Sequence, residues 1–188
     1  MELIAINTGF HNDNLGGNEY LRSKGVKIYG SGLTSRLINE RAADLKAMVM
    51  EMTSKQENKN YYNGFKNMTL MPPTDTFDIK HGIKLSISGE NFDVYFPGES
   101  HTIDNVVVYI TNKKILFGGC MIMSLPQEKP GYIADANMIE WPKSVEIIKS
   151  RYKNTQIVVP GHGDWGNVDL ITHTIDLLNR WNIDNISR

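Results

Sequence analysis

Apolar positions recur along this chain in two rhythms, one of stripes and one of alternation, and these divide it into elements. Residues 2–8 read as a short buried strand. The polar loop FHNDNLGG follows, then a short helix over 16–24 and a strand over 26–29. Ser31 opens a long helical pattern in which Leu33, Leu37, Ala42, Leu45, Val49 and Met52 keep one apolar stripe. Residues 54–78 break that rhythm. They are rich in Lys, Asn and Tyr and end in Met71-Pro72-Pro73, which stops a helix, so a flexible insertion, an exposed loop or flap, is expected there. The methionines at 48, 50, 52, 68 and 71 read as core or interface filler.

From residue 83 alternation takes over. Strands are expected at 83–88, 92–96, 106–111 and 114–118, with tight turns at Gly89-Glu90-Asn91 and Asn112-Lys113. The loop 131–137 leads into a helix over 138–152. A strand over 156–159, a loop over 160–167 and a last helix over 168–181 complete the chain's pattern. Strands followed by helix, strand and helix imply a mixed α/β layered fold. At 188 residues the expectation is a single domain, 1–188. Neither an internal repeat nor a low-complexity tract interrupts it.

Composition narrows the partners. The hydrophobic share is 40%, enough for a sizeable core, and the net charge is −1 with no basic stripe. That argues against nucleic acid and against an anionic membrane surface. No stretch reaches about 18 apolar residues, so no membrane span is expected. MELIAINTGF lacks a basic segment followed by an apolar one. The chain as written is therefore expected in the cytoplasm, or in the periplasm if it is a fragment of a longer secreted precursor. One cysteine precludes an internal disulfide. In company with several histidines it is a candidate ligand or nucleophile, the alternative being a buried structural thiol.

Metal-capable side chains sit after successive strands: His11 and Asp13 after the first, His101 after 92–96, Cys120 after 114–118, and His162 after 156–159. Loops at strand ends are where layered folds gather functional groups. Zinc accepts this mixture of imidazole, thiolate and carboxylate. Gly98, Gly118, Gly119, Gly161 and Gly163 flank the candidates, as loops needing close backbone approach often require. His81, in a turn before a strand, reads as solvated, and His173 as packing within the last helix or facing water. Trp165 shares a loop with His162 and could line a pocket.

Five segments carry a specific resemblance. TGFHNDNLGG is similar to the metallo-β-lactamase signature T-H-x-H-x-D-x-x-G-G. PGESHTIDNVVVYI resembles that family's second histidine segment, and ILFGGC the segment with its cysteine ligand. GYIADANMIEWPKSVEIIKSRY and VVPGHGDWG resemble its closing helix and last histidine loop. The likeness runs from Asn7 nearly to the end, and only 48–78 lacks a clear counterpart.

The resemblance implies an α/β fold, the αββα sandwich, with the N-terminal part of the usual fold missing before Glu2. It implies that Asp13, Cys120 and His162 bind one Zn²⁺ per chain. His11 and His101 would be two ligands of a second, all-histidine site. The third ligand of that site falls at Gly9, which has no side chain, so the site is impaired. Many members place a Lys at the position of Met123 to hold the β-lactam carboxylate, and an Asn near Tyr132 to polarise the lactam carbonyl. Met123, Tyr132 and Trp165 are thus the expected substrate-binding positions. The implied activity is that of a class B β-lactamase, an antibiotic-resistance hydrolase that attacks a small-molecule β-lactam amide with zinc-activated water. His11 or His101 would be general base, and Asp13 an alternative that orients the water.

The alternative reading is a degenerate, zinc-binding homologue with little or no turnover. Other hydrolases of the fold, thioesterases or nucleases, usually show H-x-H-x-D-H and a bridging Asp, where this chain has Asn14 and Cys120. The missing strands would bare an apolar sheet face, so a homo-oligomer, a second copy completing the core, is the expected partner.

Overall fold

The apolar run at the start forms β1 (Ile4–Ile6), shorter than the expected 2–8 segment. Residues 3–185 are described in this computed structural model, so Glu2 of the expected strand lies outside the described residues. The stretch expected as a polar loop instead curls into one helical turn, α1 (Asn12–Leu15). Leu15 is fully buried and pulls the turn onto the core, while the Asn14 N–H donates to the His11 carbonyl at 3.0 Å. Then come α2 (Asn18–Ser23) and β2 (Lys27–Ser31), close to their expected bounds.

Ser31 starts the longest helix, α3 (Gly32–Met52), as its cap: the side-chain oxygen accepts the Thr34 N–H at 2.9 Å. The stripe is buried at Leu37, Leu45 and Val49, whereas Met52 at its end is 68% exposed. Leu37, Ile38 and Leu45 are buried with Phe10, Leu15 and Leu70 in one core cluster, and Met48 and Met68 pack against it. Ser31→Ala is expected to cost about 1 kcal/mol, read as a lowered urea midpoint. An unchanged midpoint would show that the cap contributes nothing there.

Residues 54–78 correct the expectation of a loop or flap. They hold a 3₁₀ turn (Gln56–Asn58), α4 (Lys59–Asn67) and β3 (Asp75–Phe77). Lys and Asn face solvent along α4, while Tyr62 and Phe65, three residues apart, are half-buried on one side. The Lys46 ammonium donates to the Met68 carbonyl at 2.8 Å, and the buried Leu70 anchors the exit. β3 then pairs in parallel with β2 (Tyr29↔Asp75), giving the order β1-β2-β3.

These elements, up to Asp78, form one compact unit, and the rest of the chain forms another. The second unit contains β4 (Ile83–Ile87), β5 (Glu90–Tyr95), β6 (Val107–Ile110), β7 (Ile115–Gly119), α5 (Trp141–Arg151), β8 (Ile157–Pro160) and α6 (Asp169–Asn185). Among the described residues its sheet has the order β4-β5-β6-β7-β8. Hairpin links keep β4 to β7 antiparallel, whereas the crossover through α5 brings β8 in parallel to β7. Pairing alternates faces along each strand. Val107, Tyr109, Leu116 and Val158 therefore join Trp141, Val145, Ile148, Leu170, Ile171 and Leu178 in one core cluster.

α5 begins at Trp141 rather than at 138. Pro142 belongs to its first turn, and the Asn137 carboxamide oxygen accepts the Glu140 N–H at 3.1 Å. At its other end the Arg151 guanidinium lies 4.1 Å over the Tyr95 ring and donates to Asp93 at 3.1 Å. The Tyr152 hydroxyl donates to the same carboxylate at 2.9 Å. Burial pushes the Tyr152 phenol well above its ordinary range, so it remains a donor. Among the described residues no helix is long and apolar enough to cross a membrane.

Candidate metal centre

The pairing of β7 with β8 places two candidate ligands side by side. Gly119 is level with Pro160, so Cys120 and the Gly161-His162 pair leave the same edge of the sheet at the carboxyl ends of parallel neighbours. The Gly161 N–H donates to the Gly119 carbonyl at 2.7 Å. A Cβ at 161 would lie 2.7 Å from the Cys120 nitrogen, so only glycine lets the loops approach this closely. Gly163 has φ +81°, and a Cβ there would meet the Ser124 hydroxyl at 2.5 Å. The loop is closed behind Trp165 by Val158 and Gly166, which exchange N–H···O bonds of 2.8 and 2.9 Å.

The outcome is a Cys120 Sγ to His162 Nε2 distance of 3.9 Å. Zinc–sulfur and zinc–nitrogen bonds together span about 4.4 Å, so one ion can reach both atoms. Cys120 is half-buried and His162 exposed, which leaves the pair open to solvent on one side.

His101 is held by a braced loop. The Asn105 carboxamide oxygen accepts the Thr102 N–H at 2.8 Å and the Ser100 hydroxyl at 3.3 Å. The Thr102 hydroxyl donates to Asp104 at 2.6 Å. The Asn137 N–H reaches the Ser100 carbonyl at 2.8 Å, and the Ser144 hydroxyl the Glu99 carbonyl at 2.8 Å. The imidazole, 9% exposed, meets Trp141 edge-on with ring centres 5.3 Å apart. Thr102, Asp104 and Asn105 are supporting residues that the strand and ligand patterns did not single out. The signal was present in T-I-D-N, a run of side chains that hydrogen-bond their own backbone in tight turns.

In the first unit, His11 and Asp13 sit at the start of α1. His11 is the N-cap residue, 6% exposed, with its ring 4.8 Å from that of Phe10. Asp13 is exposed, and its carboxylate accepts the Asn14 side-chain N–H at 3.1 Å. Gly9 offers no side chain to a third position.

Among the expected substrate positions, Trp165 is 68% exposed and Tyr132 is also exposed, its hydroxyl 3.4 Å from Asp135. Met123 is a correction. Its side chain is 3% exposed within the second unit's core, and its N–H donates to Thr174 at 2.9 Å. The chain after Cys120 turns inward through Met121, Ile122 and Met123, all buried, so the thioether fills core rather than facing a ligand. His81 is exposed, and His173 packs with its Nε2 2.9 Å from the Gln127 carbonyl, as their positions suggest.

No family model matches the chain. It is 32% identical over 173 residues to metallo-beta-lactamase IND-1 of Chryseobacterium indologenes, covering 92% of this chain and 60% of that protein. It is 31% identical over 172 residues to metallo-beta-lactamase type 2 of Bacteroides fragilis, covering 92% and 57%. The chain thus spans less than two thirds of the length of these curated relatives. Among solved structures, a metallo-beta-lactamase from Pontibacter korlensis aligns with a TM-score of 0.76 at 34% identity, over 94% of this chain and 68% of that one. DIM-1 metallo-beta-lactamase aligns at 0.74 and 31%, over 95% and 68%. Sequence likeness and fold agree: this chain belongs to the metallo-β-lactamase family.

Proposed function

We propose that this chain is a zinc-dependent hydrolase that opens the amide of a β-lactam ring with activated water. The observation that carries the reading is the approach of Cys120 to His162 at the ends of β7 and β8. Membership in the family supports it. Asp13 would join Cys120 and His162 as the third ligand, and one ion per chain follows because Gly9 leaves His11 and His101 without a third histidine. When bound, zinc supplies a Lewis acid for the carbonyl and lowers the pKa of a water to about 7.

The chain's own groups supply the rest. Cys120 binds as thiolate and His162 through Nε2. His11 or His101 accepts the proton of the attacking water, and the braced loop and the Trp141 contact fix the direction of the His101 ring. Asp13 is the alternative, orienting that water. Tyr132 would offer a hydroxyl donor to the carbonyl in exchange for its 3.4 Å bond to Asp135, and Trp165 an apolar wall. No covalent enzyme intermediate is required.

A specific observation favours a second reading, a degenerate homologue that binds zinc but turns over little. Gly9 cannot ligate through a side chain, and the buried Met123 leaves a substrate carboxylate without the charged partner expected at that position. One experiment separates them: zinc per chain, together with nitrocefin and carbapenem hydrolysis with and without a chelator. The hydrolase reading expects about one zinc and chelator-sensitive turnover. Zinc without turnover leaves the degenerate homologue, and a chain that binds no zinc removes both.

A further inference from the structure

The residue after Asp13 is gripped from both sides. The Thr8 hydroxyl donates to the Asn14 Oδ1 at 2.6 Å. That contact fixes which way the carboxamide faces and turns Nδ2 toward Asp13, where it donates to Oδ1 at 3.1 Å. The arrangement is anchored from below. One Asn7 Nδ2 hydrogen goes to the Asn14 carbonyl at 2.9 Å, the other to the Asn18 Oδ1 at 3.0 Å. Asn18 returns a bond to the Asn7 Oδ1 at 2.8 Å and donates to the Met71 carbonyl at 2.8 Å. Asn7, Thr8 and Asn18 are all buried. Burying so many amide and hydroxyl groups is costly unless each is satisfied, and here the satisfied chain includes the exposed Asp13 carboxylate.

We propose that Thr8 and Asn14 are positioning residues for Asp13, a relay that orients its carboxylate for a divalent metal ion. The inference rests on the reading of Asp13 as a ligand. An unrestrained aspartate on an exposed turn samples several rotamers, and capturing a metal requires it to give them up. With Oδ1 held by Asn14, the carboxylate is restrained toward one rotamer before any ion arrives. A carboxamide does this without adding a positive charge beside the ion, which a basic side chain at position 14 would do. Partners of this kind typically contribute 10–100-fold in metal affinity.

The test is zinc affinity by chelator competition on the full chain, with the cobalt spectrum as a second readout. Thr8→Val removes the hydroxyl at nearly constant shape, Thr8→Ser restores it, and Asn14→Leu removes the amide at a half-buried site. Thr8→Val and Asn14→Leu are expected to bind zinc about tenfold or more weakly, with Thr8→Ser within about threefold of the parent. In both weakened variants the thiolate-to-cobalt band of Cys120 should persist while the ligand-field bands shift. Urea midpoints of the metal-free proteins distinguish this from a general loss of fold. Parent-like affinity in Asn14→Leu, while Asp13→Ala binds weakly, overturns the relay and leaves the metal reading standing. Parent-like affinity in Asp13→Ala overturns both.

Discussion

Cys120→Ala is expected to weaken zinc binding more than about a hundredfold, beyond the range usual for a partner outside the ligand set. The thiolate brings a full negative charge and a soft donor that zinc favours. At 3.9 Å from His162 Nε2 it is placed to share one ion with that imidazole. Alanine keeps the Cβ, and the close approach of Gly161 to this loop depends on backbone rather than on sulfur. The metal-free protein should therefore keep its stability within about 0.5 kcal/mol. Zinc per chain after dialysis, chelator competition and loss of the thiolate-to-cobalt band report the effect. Undiminished affinity in this variant would take Cys120 out of the site, and the hydrolase reading with it.

Trp141→Ala should cost about 3–5 kcal/mol of folding stability, the range for emptying a large aromatic site in a core. The indole is 0% exposed and touches the cluster shared by β6, β7, β8 and α6. Its Nε1–H donates to the Met121 carbonyl at 2.9 Å, one residue past Cys120, and its ring supports His101. Trp141→Phe fills part of the volume but strands that buried carbonyl, a loss of about 1–3 kcal/mol. Urea unfolding in the presence of a chelator gives both values without the contribution of a bound ion. A cost below about 1 kcal/mol for the alanine variant would mean that this residue does not hold the core.

Much of the architecture was legible because secondary structure leaves a period in the chain. The stripe from Leu33 to Met52 and the Ser31 cap marked α3, and alternation marked β4 to β7 within two residues of their ends. α1 and β3 left no such trace, since three or four residues cannot display a period. They form because Leu15 is drawn into a core and because β2 offers a free edge to Asp75–Phe77. Pro72-Pro73, expected to stop a helix, stands five residues past the end of α4 at Asn67 and two residues before β3 begins at Asp75.

Residue types and their places after strands were likewise written in the chain: a thiol, imidazoles and a carboxylate, each in a loop with glycines around it. Tertiary structure alone decided the distances and the directions. Cys120 and His162 are 42 positions apart, and only the parallel register of Gly119 with Pro160 brings their donor atoms within reach of one ion. It also decided that Met123 turns into the core and that Thr8 reaches Asn14. The division has one physical cause. Side-chain chemistry and periodicity are local properties of a chain, whereas a separation between remote atoms is a sum over every pairing and packing contact that folding makes.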